Sequence, residues 1–220
     1  MREGAARMTA AFRGYLEKVP FLKIVSWKNN ARLGEFMPAM VIKVSLATTE
    51  QLIIADIRSN GQPRIARDVV NQLYRYHDAA PGMYGVFVAP YITSQTAIIC
   101  EKAGIGYSDL AGNCRLVFGQ VYVEMRDWPN PLIVKRELRS LFTPKASRIL
   151  SVLLANPKRS WKVVDLAKEA RVSLGQVSNV KKLLEDREWV EQSAKGVRLS
   201  QPDDLRAAWA DHDSFSKKRT

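Results

Sequence analysis

Apolar residues recur along the first 128 residues at spacings that predict alternating helices and strands. The predicted helices cover residues 5–18, 63–76 and 93–103, and the predicted strands cover residues 40–46, 52–57, 84–90, 105–110, 114–118 and 121–124. Residues 84–90 form a continuous apolar run, which is typical of a central strand covered on both faces. This order of elements predicts an α/β domain with a mixed sheet and flanking helices.

Turn-forming residues separate these elements from one another and from the rest of the chain. The sequence predicts a turn at residues 48–50, between the first two strands, and Pro63 suits the first turn of a helix. Residues 128–131 read Trp-Pro-Asn-Pro and cannot continue a helix or a strand, so we expect the first domain to cover residues 1–128. Residues 129–143, which include a basic run at 135–139, are then the predicted linker.

Beyond the linker, the pattern becomes helical in three short units that a β-hairpin follows. The predicted helices cover residues 145–155, 163–170 and 173–186, and residues 189–192 are expected to pair with 197–199. Ala167 and Ala170 are small enough to let the second and third helices approach closely. The combination predicts a winged helix-turn-helix domain over residues 144–205, and residues 206–220 are expected to form a C-terminal tail that is polar and frayed from about residue 211.

The third of these helices carries the clearest functional signal in the chain. Ser173 and Gln176 have the spacing of a capping box at its N-terminus. Its predicted apolar stripe consists of Leu174, Val177, Val180 and Leu184. Its polar residues are Gln176, Ser178, Asn179, Lys181 and Lys182. Amide and hydroxyl groups can contact base edges while lysines contact phosphates, so the pattern favours a DNA-reading helix, with a solvated surface helix as the alternative.

Basic residues surround this helix in the sequence. They flank the second helix and lie in or beside the predicted hairpin, at Lys158, Arg159, Lys162, Lys195 and Arg198. Such positions meet DNA phosphates when the third helix of a winged domain enters the major groove. Winged helices also serve as protein–protein modules, so this second interpretation stays open.

Composition and charge narrow the classes of function. The 220 residues carry a formal net charge of +12, which favours a polyanionic partner. No apolar run is long enough for a membrane span and no signal peptide is apparent, so we expect a cytoplasmic protein without a membrane partner. Cys100 and Cys114 are expected to be buried thiols in a reducing compartment. His77 and His212 are the two histidines, and neither a cofactor nor a metal is predicted.

One segment of the first domain resembles the core of the PD-(D/E)XK nucleases. Asp56-Ile57-Arg58 ends an apolar strand, and Gln72 and Tyr76 resemble the Gln-x-x-x-Tyr element of RecB-like members. This resemblance implies a restriction-endonuclease-like fold, with Asp56, Arg58, Gln72 and Tyr76 as the catalytic candidates if the protein is a nuclease.

Two departures from that family affect catalysis. Ala39 occupies the position of the first metal-binding aspartate, and Arg58 occupies the position of the lysine. Arginine stays protonated and is a poor general base, so we expect the fold without catalysis and without a metal. A strand-end carboxylate paired with Arg58, Arg64 or Arg67 is the simpler explanation of Asp56.

A second local signature follows the strand at 105–110. Tyr107 and Asp109 are expected to face the same side of that strand, because side chains two residues apart do so. Gly112 and Asn113 require a tight turn, and Gly112 suits a positive φ. Tyr107, Asp109 and Asn113 are therefore either a possible site or a structural unit in which Asp109 caps the turn.

Three segments together resemble the AbiEi-type antitoxins, a family of transcriptional regulators from type IV toxin–antitoxin systems. These are residues 106–113, 135–142 and 173–182, and the resemblance extends from about residue 52 to residue 199. It implies a bacterial repressor of its own operon that opposes a nucleotidyltransferase-type toxin. In the better-known antitoxins the winged helix comes first, whereas here it is C-terminal.

These observations favour a DNA-binding transcriptional regulator that binds double-stranded operator DNA as a homodimer, because winged-helix regulators commonly read paired half-sites. A metal-dependent nuclease delivered to DNA by the winged helix is the alternative. A scaffold that binds a toxin or another protein is the third possibility.

Overall fold

The computed structural model describes residues 2–46, 49–126, 128 and 141–217, with side chains from residue 3 to residue 212 within those ranges. The chain divides into two compact units, residues 1–130 and residues 131–220. Among the described residues, no helix is both long enough and apolar enough to cross a membrane.

The first unit consists of seven strands and three helices. The strands are β1 (Leu22–Asn29), β2 (Met40–Leu46), β3 (Thr49–Ile57), β4 (Tyr84–Val88), β5 (Gly106–Ser108), β6 (Cys114–Phe118) and β7 (Val121–Met125). The helices are α1 (Arg2–Glu17), α2 (Pro63–Ala79) and α3 (Ser94–Lys102). Pro63 opens α2, as the sequence predicts, and the Thr93 side chain caps α3 by accepting a hydrogen bond from the backbone N–H of Thr96.

All seven strands form one mixed sheet in the order β1 to β7. β3, β4 and β5 run parallel, and every other neighbouring pair is antiparallel. β4 lies at the centre and all five of its residues are buried, which confirms the prediction of a strand covered on both faces. This mixed α/β architecture is compatible with the expected restriction-endonuclease-like domain.

Helices cover both faces of the sheet. Met8, Phe12 and Leu16 of α1 pack with one set of strand residues in one apolar cluster. Val69 and Leu73 of α2 join a different cluster, on the opposite face, to which α3 also contributes. The crossovers β3–α2–β4 and β4–α3–β5 bring the carboxyl ends of three parallel strands to one edge of the sheet, the usual location of ligand sites in such sheets.

The structure differs from the sequence prediction at the start of the sheet. β1 was not predicted: a bulge between Ile24 and Ser26 interrupts its alternation of apolar and polar residues. The predicted turn at 48–50 is shorter, because Thr49 and Glu50 already pair with Leu46 and Ser45. Residues 47 and 48 lie outside the described residues.

The second unit contains four helices and one hairpin. The helices are α4 (Pro144–Ala155), α5 (Val163–Ala170), α6 (Leu174–Asp186) and α7 (Pro202–Lys217), and the hairpin strands are β8 (Val190–Ser193) and β9 (Gly196–Leu199). The first three helices and the hairpin match their predicted bounds to within one residue. Trp161 adds a backbone bridge to Val197 of β9, with hydrogen bonds of 2.7 and 2.8 Å. This bridge places the segment between α4 and α5 against the hairpin.

The structure differs from the sequence prediction at both ends of this unit. Residues 206–217 are helical rather than a frayed tail, because Leu205 is fully buried and Trp209 packs against the Phe142 ring. The predicted linker, 129–143, is too long at its C-terminal end: Leu141 and Phe142 are buried in the core of the second unit. Residues 129–140, including the predicted basic helix at 135–139, lie outside the described residues.

Candidate functional site

The turn before α6 is built by backbone geometry and a single cap. Arg171 ends α5 in the left-handed conformation, with a φ of 54°, and the N–H of Val172 returns to the Ala167 carbonyl at 3.0 Å. Ser173 Oγ then accepts a hydrogen bond of 3.2 Å from the backbone N–H of Gln176. The cap predicted at Ser173 is present, and it sets where α6 begins.

α6 buries one side and exposes the other. Val177, Val180 and Leu184 are buried in the core of the second unit. The predicted polar residues Ser173, Ser178, Asn179 and Lys182 are exposed, and Gln176 is half-buried. Leu174 was predicted to join the apolar stripe, but its side chain is 52% exposed because the first turn of α6 extends beyond the packed core. The exposed side chains offer hydroxyl, amide and ammonium groups, the groups that bind base edges and phosphates.

The predicted phosphate-contacting cations fall into two classes. Lys158, Lys162, Lys182 and Lys195 are exposed. Lys181 is half-buried, with its Nζ 3.4 Å from Glu185 Oε1, while Arg198 pairs with Glu191 across the hairpin at 2.8 Å. Solvent-exposed ion pairs of this kind contribute about 0 to 1 kcal/mol, so a phosphate can compete for Arg198 at little cost.

Arg159 lies outside this division, because its guanidinium stacks on an aromatic ring. Its Cζ lies 3.7 Å from the centroid of the Trp161 ring. Since Trp161 also bridges to β9, this contact holds the Arg159 guanidinium beside the hairpin.

Sequence reasoning missed three cations near the helix–turn–helix connection. Lys145, Lys168 and Arg171 line a surface cavity of about 430 Å³ together with Ser173 and Gln176. Lys168 and Arg171 precede the predicted cap at Ser173 by a few residues, so their position at the end of α5 could have identified them from the sequence as cations close to α6. Lys145 is far away in sequence, and only the packing of α4 beside the turn places it here.

The four nuclease-type candidates of the first unit are brought together. Arg58 Nη2 donates to Asp56 Oδ2 at 3.0 Å and to Gln72 Oε1 at 2.5 Å. Gln72 Nε2 in turn donates to the Tyr76 hydroxyl. Asp56, Arg58, Gln72 and Tyr76 therefore form one hydrogen-bonded chain at the carboxyl end of β3, and Arg58 is the partner predicted for Asp56.

The geometry around Asp56 is a poor fit for a metal ion. β2 pairs with β3 so that Met40 lies opposite Ala55, and the next position along this register sets Ala39 beside Asp56. Ala39, which directly precedes β2, carries a methyl group instead of a carboxylate, and both Asp56 oxygens lie 3.0 Å from nitrogens of the Arg58 guanidinium. Divalent cations require several oxygen ligands. Across the described residues, no group of three or more His, Cys, Asp or Glu side chains could hold a metal.

Burial and charge act in opposite directions on Asp56. Burial raises the pKa of its carboxyl above the usual range, and the Arg58 guanidinium offsets that increase only in part. The ionised form of Asp56 is therefore held in the folded protein at a cost in free energy.

Asp109 is a turn-stabilising carboxylate. Its Oδ1 accepts hydrogen bonds from the backbone N–H groups of Ala111, Gly112 and Asn113 at 2.8 to 2.9 Å. Its Oδ2 accepts one from the backbone N–H of Ile92 and one from Asn113 Nδ2. Asp109 lies beyond the end of β5, and the predicted positive φ of Gly112 is present at 121°. The capping alternative for Asp109 is thus the one that the geometry supports.

Tyr107 and Asn113 have separate surroundings. Tyr107 is fully buried in the cluster under α2 and α3. Asn113 holds the backbone of Trp128 at two points, since its Oδ1 accepts from the Trp128 N–H at 3.0 Å and its Nδ2 donates to the Trp128 carbonyl at 3.2 Å. Tyr107 and Asn113 nevertheless line one cavity of the first unit.

Comparison with known proteins leaves the function open. No protein family and no curated protein matches the sequence. The solved structure of EndoMS in apo form is similar over 47% of this chain and 45% of that chain, at 14% identity and a TM-score of 0.33. The chain therefore spans less than half of that structure, and a match of this score is too weak to assign a fold or an activity.

Proposed function

We propose that this protein is a DNA-binding transcriptional regulator whose second unit is a winged helix-turn-helix. The observation that carries the proposal is the order of its elements: α4, the Trp161 bridge, α5, α6, then β8 and β9. In this arrangement the third helix reads the major groove and the hairpin is the wing. α6 supports that role with a buried side of three apolar residues and an exposed side that carries Ser178, Asn179 and Lys182.

Charge supports DNA rather than a protein as the partner. The chain carries a net charge of +12, and four of the predicted phosphate-contacting lysines are exposed in the described residues. Neutralising phosphates releases condensed counterions, so binding must weaken steeply with added salt. A protein–protein module would show a shallow salt response.

The test of this proposal is selection of bound sequences from a random duplex library by the full-length protein. We expect an enriched motif, and we expect Asn179→Ala to lose discrimination at one base position, at about 1 to 3 kcal/mol. Ser151→Ala, an exposed polar substitution on α4, is the matched control. Enrichment of no motif, or an unchanged motif in the Asn179 variant, would contradict the assignment of α6 as the reading helix.

We further propose that the regulator is of the antitoxin type, cytoplasmic, and active as a homodimer on paired half-sites. The resemblance of residues 106–113 and 173–182 to AbiEi-type antitoxins supports this, while the third resembling segment, 135–142, lies mostly outside the described residues. Co-expression with the product of the adjacent gene tests it. Rescue from a nucleotidyltransferase-type toxin supports the proposal, and growth arrest despite co-expression refutes it.

The alternative function is a metal-dependent nuclease, and the hydrogen-bonded chain from Asp56 to Tyr76 is the observation that favours it. We propose instead that the first unit is not catalytic, because Ala39 and Arg58 leave Asp56 without a second carboxylate and without a lysine. Incubation of the protein with plasmid and Mg²⁺ or Mn²⁺ separates the two functions. Cleavage that disappears in Asp56→Ala would establish the nuclease.

A gain-of-function variant makes the same distinction without an activity assay. Ala39→Asp combined with Arg58→Lys restores the carboxylate pair and the lysine, so we expect Mn²⁺ binding by calorimetry in that variant and none in the wild type. Equal Mn²⁺ binding by the two proteins would show that the wild-type cluster already holds a metal.

A further inference from the structure

A cavity of about 250 Å³ opens beside the carboxyl ends of β4 and β5 in the first unit. Its aromatic walls are Tyr91, Tyr107 and Trp128, and Ile98 and Arg126 complete the rim. Pockets for drug-sized ligands begin at about 300 Å³, so this volume suits a ligand of one small ring system. Neither DNA reading by α6 nor the Asp56 cluster uses this cavity.

Tyr107, one of the residues that line the cavity, carries a hydroxyl group to which none of the described residues is hydrogen-bonded. Tyr107 is 1% exposed. An unpaired buried hydroxyl costs about 1 to 3 kcal/mol. Burial raises the pKa of Tyr107 to about 12, so the hydroxyl keeps its proton and is a donor. The cost of leaving this donor unpaired is recovered if a ligand accepts from it.

The opposite wall is an aromatic side chain that the fold holds in place while leaving its ring open. Asn113 clamps both backbone groups of Trp128, and the Trp128 ring packs over Gly112, where an added Cβ would lie 3.2 Å from the ring. The side chain nevertheless remains 56% exposed. A clamped, half-exposed indole beside a cavity is a preformed stacking surface.

The charges at the rim exclude an anionic ligand. Arg126 is the cation that lines the cavity, and its Nη2 lies 2.8 Å from Glu101 Oε1 and also contacts Glu124. Glu124 Oε1 also lies 3.9 Å from Arg115 Nε, so two carboxylates face two guanidiniums and no net charge is left over for a carboxylate or phosphate of the ligand. The cavity therefore favours an uncharged ring.

We propose that this cavity binds an uncharged planar heterocycle, of the nucleobase class, which stacks on Trp128 and accepts a hydrogen bond from the Tyr107 hydroxyl. A heterocycle of this class has flat faces for stacking and ring-edge acceptors for the hydroxyl. The same chemistry is offered by a free base and by an unstacked base of a nucleic-acid strand. The site lies wholly in the first unit and stands whether or not α6 reads DNA.

The test is calorimetric titration of the full-length protein with adenine, guanine, uracil and a single-stranded oligonucleotide. We expect at least one probe to bind and to raise the melting temperature. Tyr107→Phe, which removes only the hydroxyl, is expected to weaken binding about tenfold without lowering the melting temperature of the free protein. Tyr74→Phe is the matched control on an exposed tyrosine of α2 that does not line the cavity, and Trp128→Ala is a second variant that does not alter the buried core.

Each outcome supports or overturns the proposal. Binding of a free base identifies a small-molecule effector, and binding of the oligonucleotide alone identifies a base within a strand, provided that Tyr107→Phe and Trp128→Ala weaken it and Tyr74→Phe does not. Absence of binding by every probe overturns the proposal. So does a Tyr107→Phe protein that binds like the wild type, or one whose free form melts lower, because the hydroxyl would then already be bonded within the fold.

Discussion

Two adjacent lysines of α6 provide a sharp test of the proposal that this helix binds DNA. The Lys182 side chain is exposed, whereas Lys181 is half-buried and its Nζ lies 3.4 Å from Glu185 Oε1, one helical turn away. If α6 lies in the major groove, Lys182 is available to a phosphate and Lys181 is already occupied. We therefore expect Lys182→Ala to remove one phosphate contact. Lys181→Ala should have a smaller effect on phosphate binding, although each substitution removes one positive charge.

The size of the effect follows from counterion release. Each neutralised phosphate changes the slope of log K against log salt by about 0.9 on duplex DNA. Between about 50 and about 200 mM salt, the affinity deficit of Lys182→Ala should therefore shrink about 3.5-fold, and that of Lys181→Ala should change by much less. A general loss of positive field would instead act on the two variants alike.

Fluorescence anisotropy with a short labelled duplex measures both slopes on the full-length protein. Circular dichroism of each variant controls for folding, since both positions lie in a helix with a buried side. Equal salt slopes for the two variants would refute the assignment of separate roles. A wild-type affinity that does not respond to salt would refute phosphate contact by α6 altogether.

Three further predictions concern stability and use urea unfolding. Gly196→Ala should destabilise the protein by at least about 2 kcal/mol, because the φ of Gly196 is 122° and an added Cβ would lie 2.2 Å from the Trp161 carbonyl oxygen. Gly175→Ala is the control and should not destabilise the protein, because a Cβ there meets nothing within 4 Å. Asp56→Asn should be more stable than the wild type at neutral pH. Burial raises the pKa of the Asp56 carboxyl, so the wild-type protein loses stability as the pH rises through this raised pKa and the carboxyl ionises, whereas asparagine stays neutral. The difference should shrink in acid, and a less stable Asn variant at neutral pH would contradict the reasoning. Asp109→Ala should lower the free energy of unfolding by more than about 3 kcal/mol, since five hydrogen-bond donors lose their acceptor. A decrease of less than about 1 kcal/mol would show that water replaces the carboxylate.

Periodicity predicted the elements whose pattern is local and unbroken. α5 and α6 have sharp signals, an apolar period of three to four residues and a capping Ser173, and the structure places their bounds within one residue of the prediction. The hairpin of β8 and β9 was predicted as residues 189–192 pairing with residues 197–199 across residues 193–196, and its strands also lie within one residue of that prediction. In each case the determining contacts lie within a few residues of one another in the sequence.

The elements that were missed depend on contacts that the sequence does not display. β1 contains a bulge that moves its side chains out of strict alternation, so its two-residue period is lost. α7 has few apolar residues, and its anchor, Leu205, is recognisable as core only because Phe142, far away in sequence, packs beside the same helix. Leu174 fits the apolar spacing of α6, yet the described residues leave its side chain 52% exposed.

Ion pairing was the largest gap in the sequence analysis of the candidate sites. Lys181 and Lys182 each have a carboxylate four residues later, Glu185 and Asp186, and only the structure shows that Lys181 forms the ion pair with Glu185. Likewise, Asp56 was paired correctly with Arg58, but the extension of that pair through Gln72 to Tyr76 required α2 to pack beside the end of β3. Spacing predicts which side chains share a helix face, whereas partners across elements depend on the packing.

The buried polar groups of the first unit differ in how far the fold satisfies them, and this difference points to function. Asp109 receives five hydrogen bonds, so its burial needs no ligand to explain it. Arg58 offsets only part of the effect of burial on the pKa of Asp56, and the Tyr107 hydroxyl has no hydrogen-bond partner among the described residues. Neutral or apolar replacements of similar shape would serve packing better at both positions. Asp56→Asn and Tyr107→Phe are thus the two substitutions expected to maintain or increase stability, and any function that either one loses identifies what the unpaired group is for.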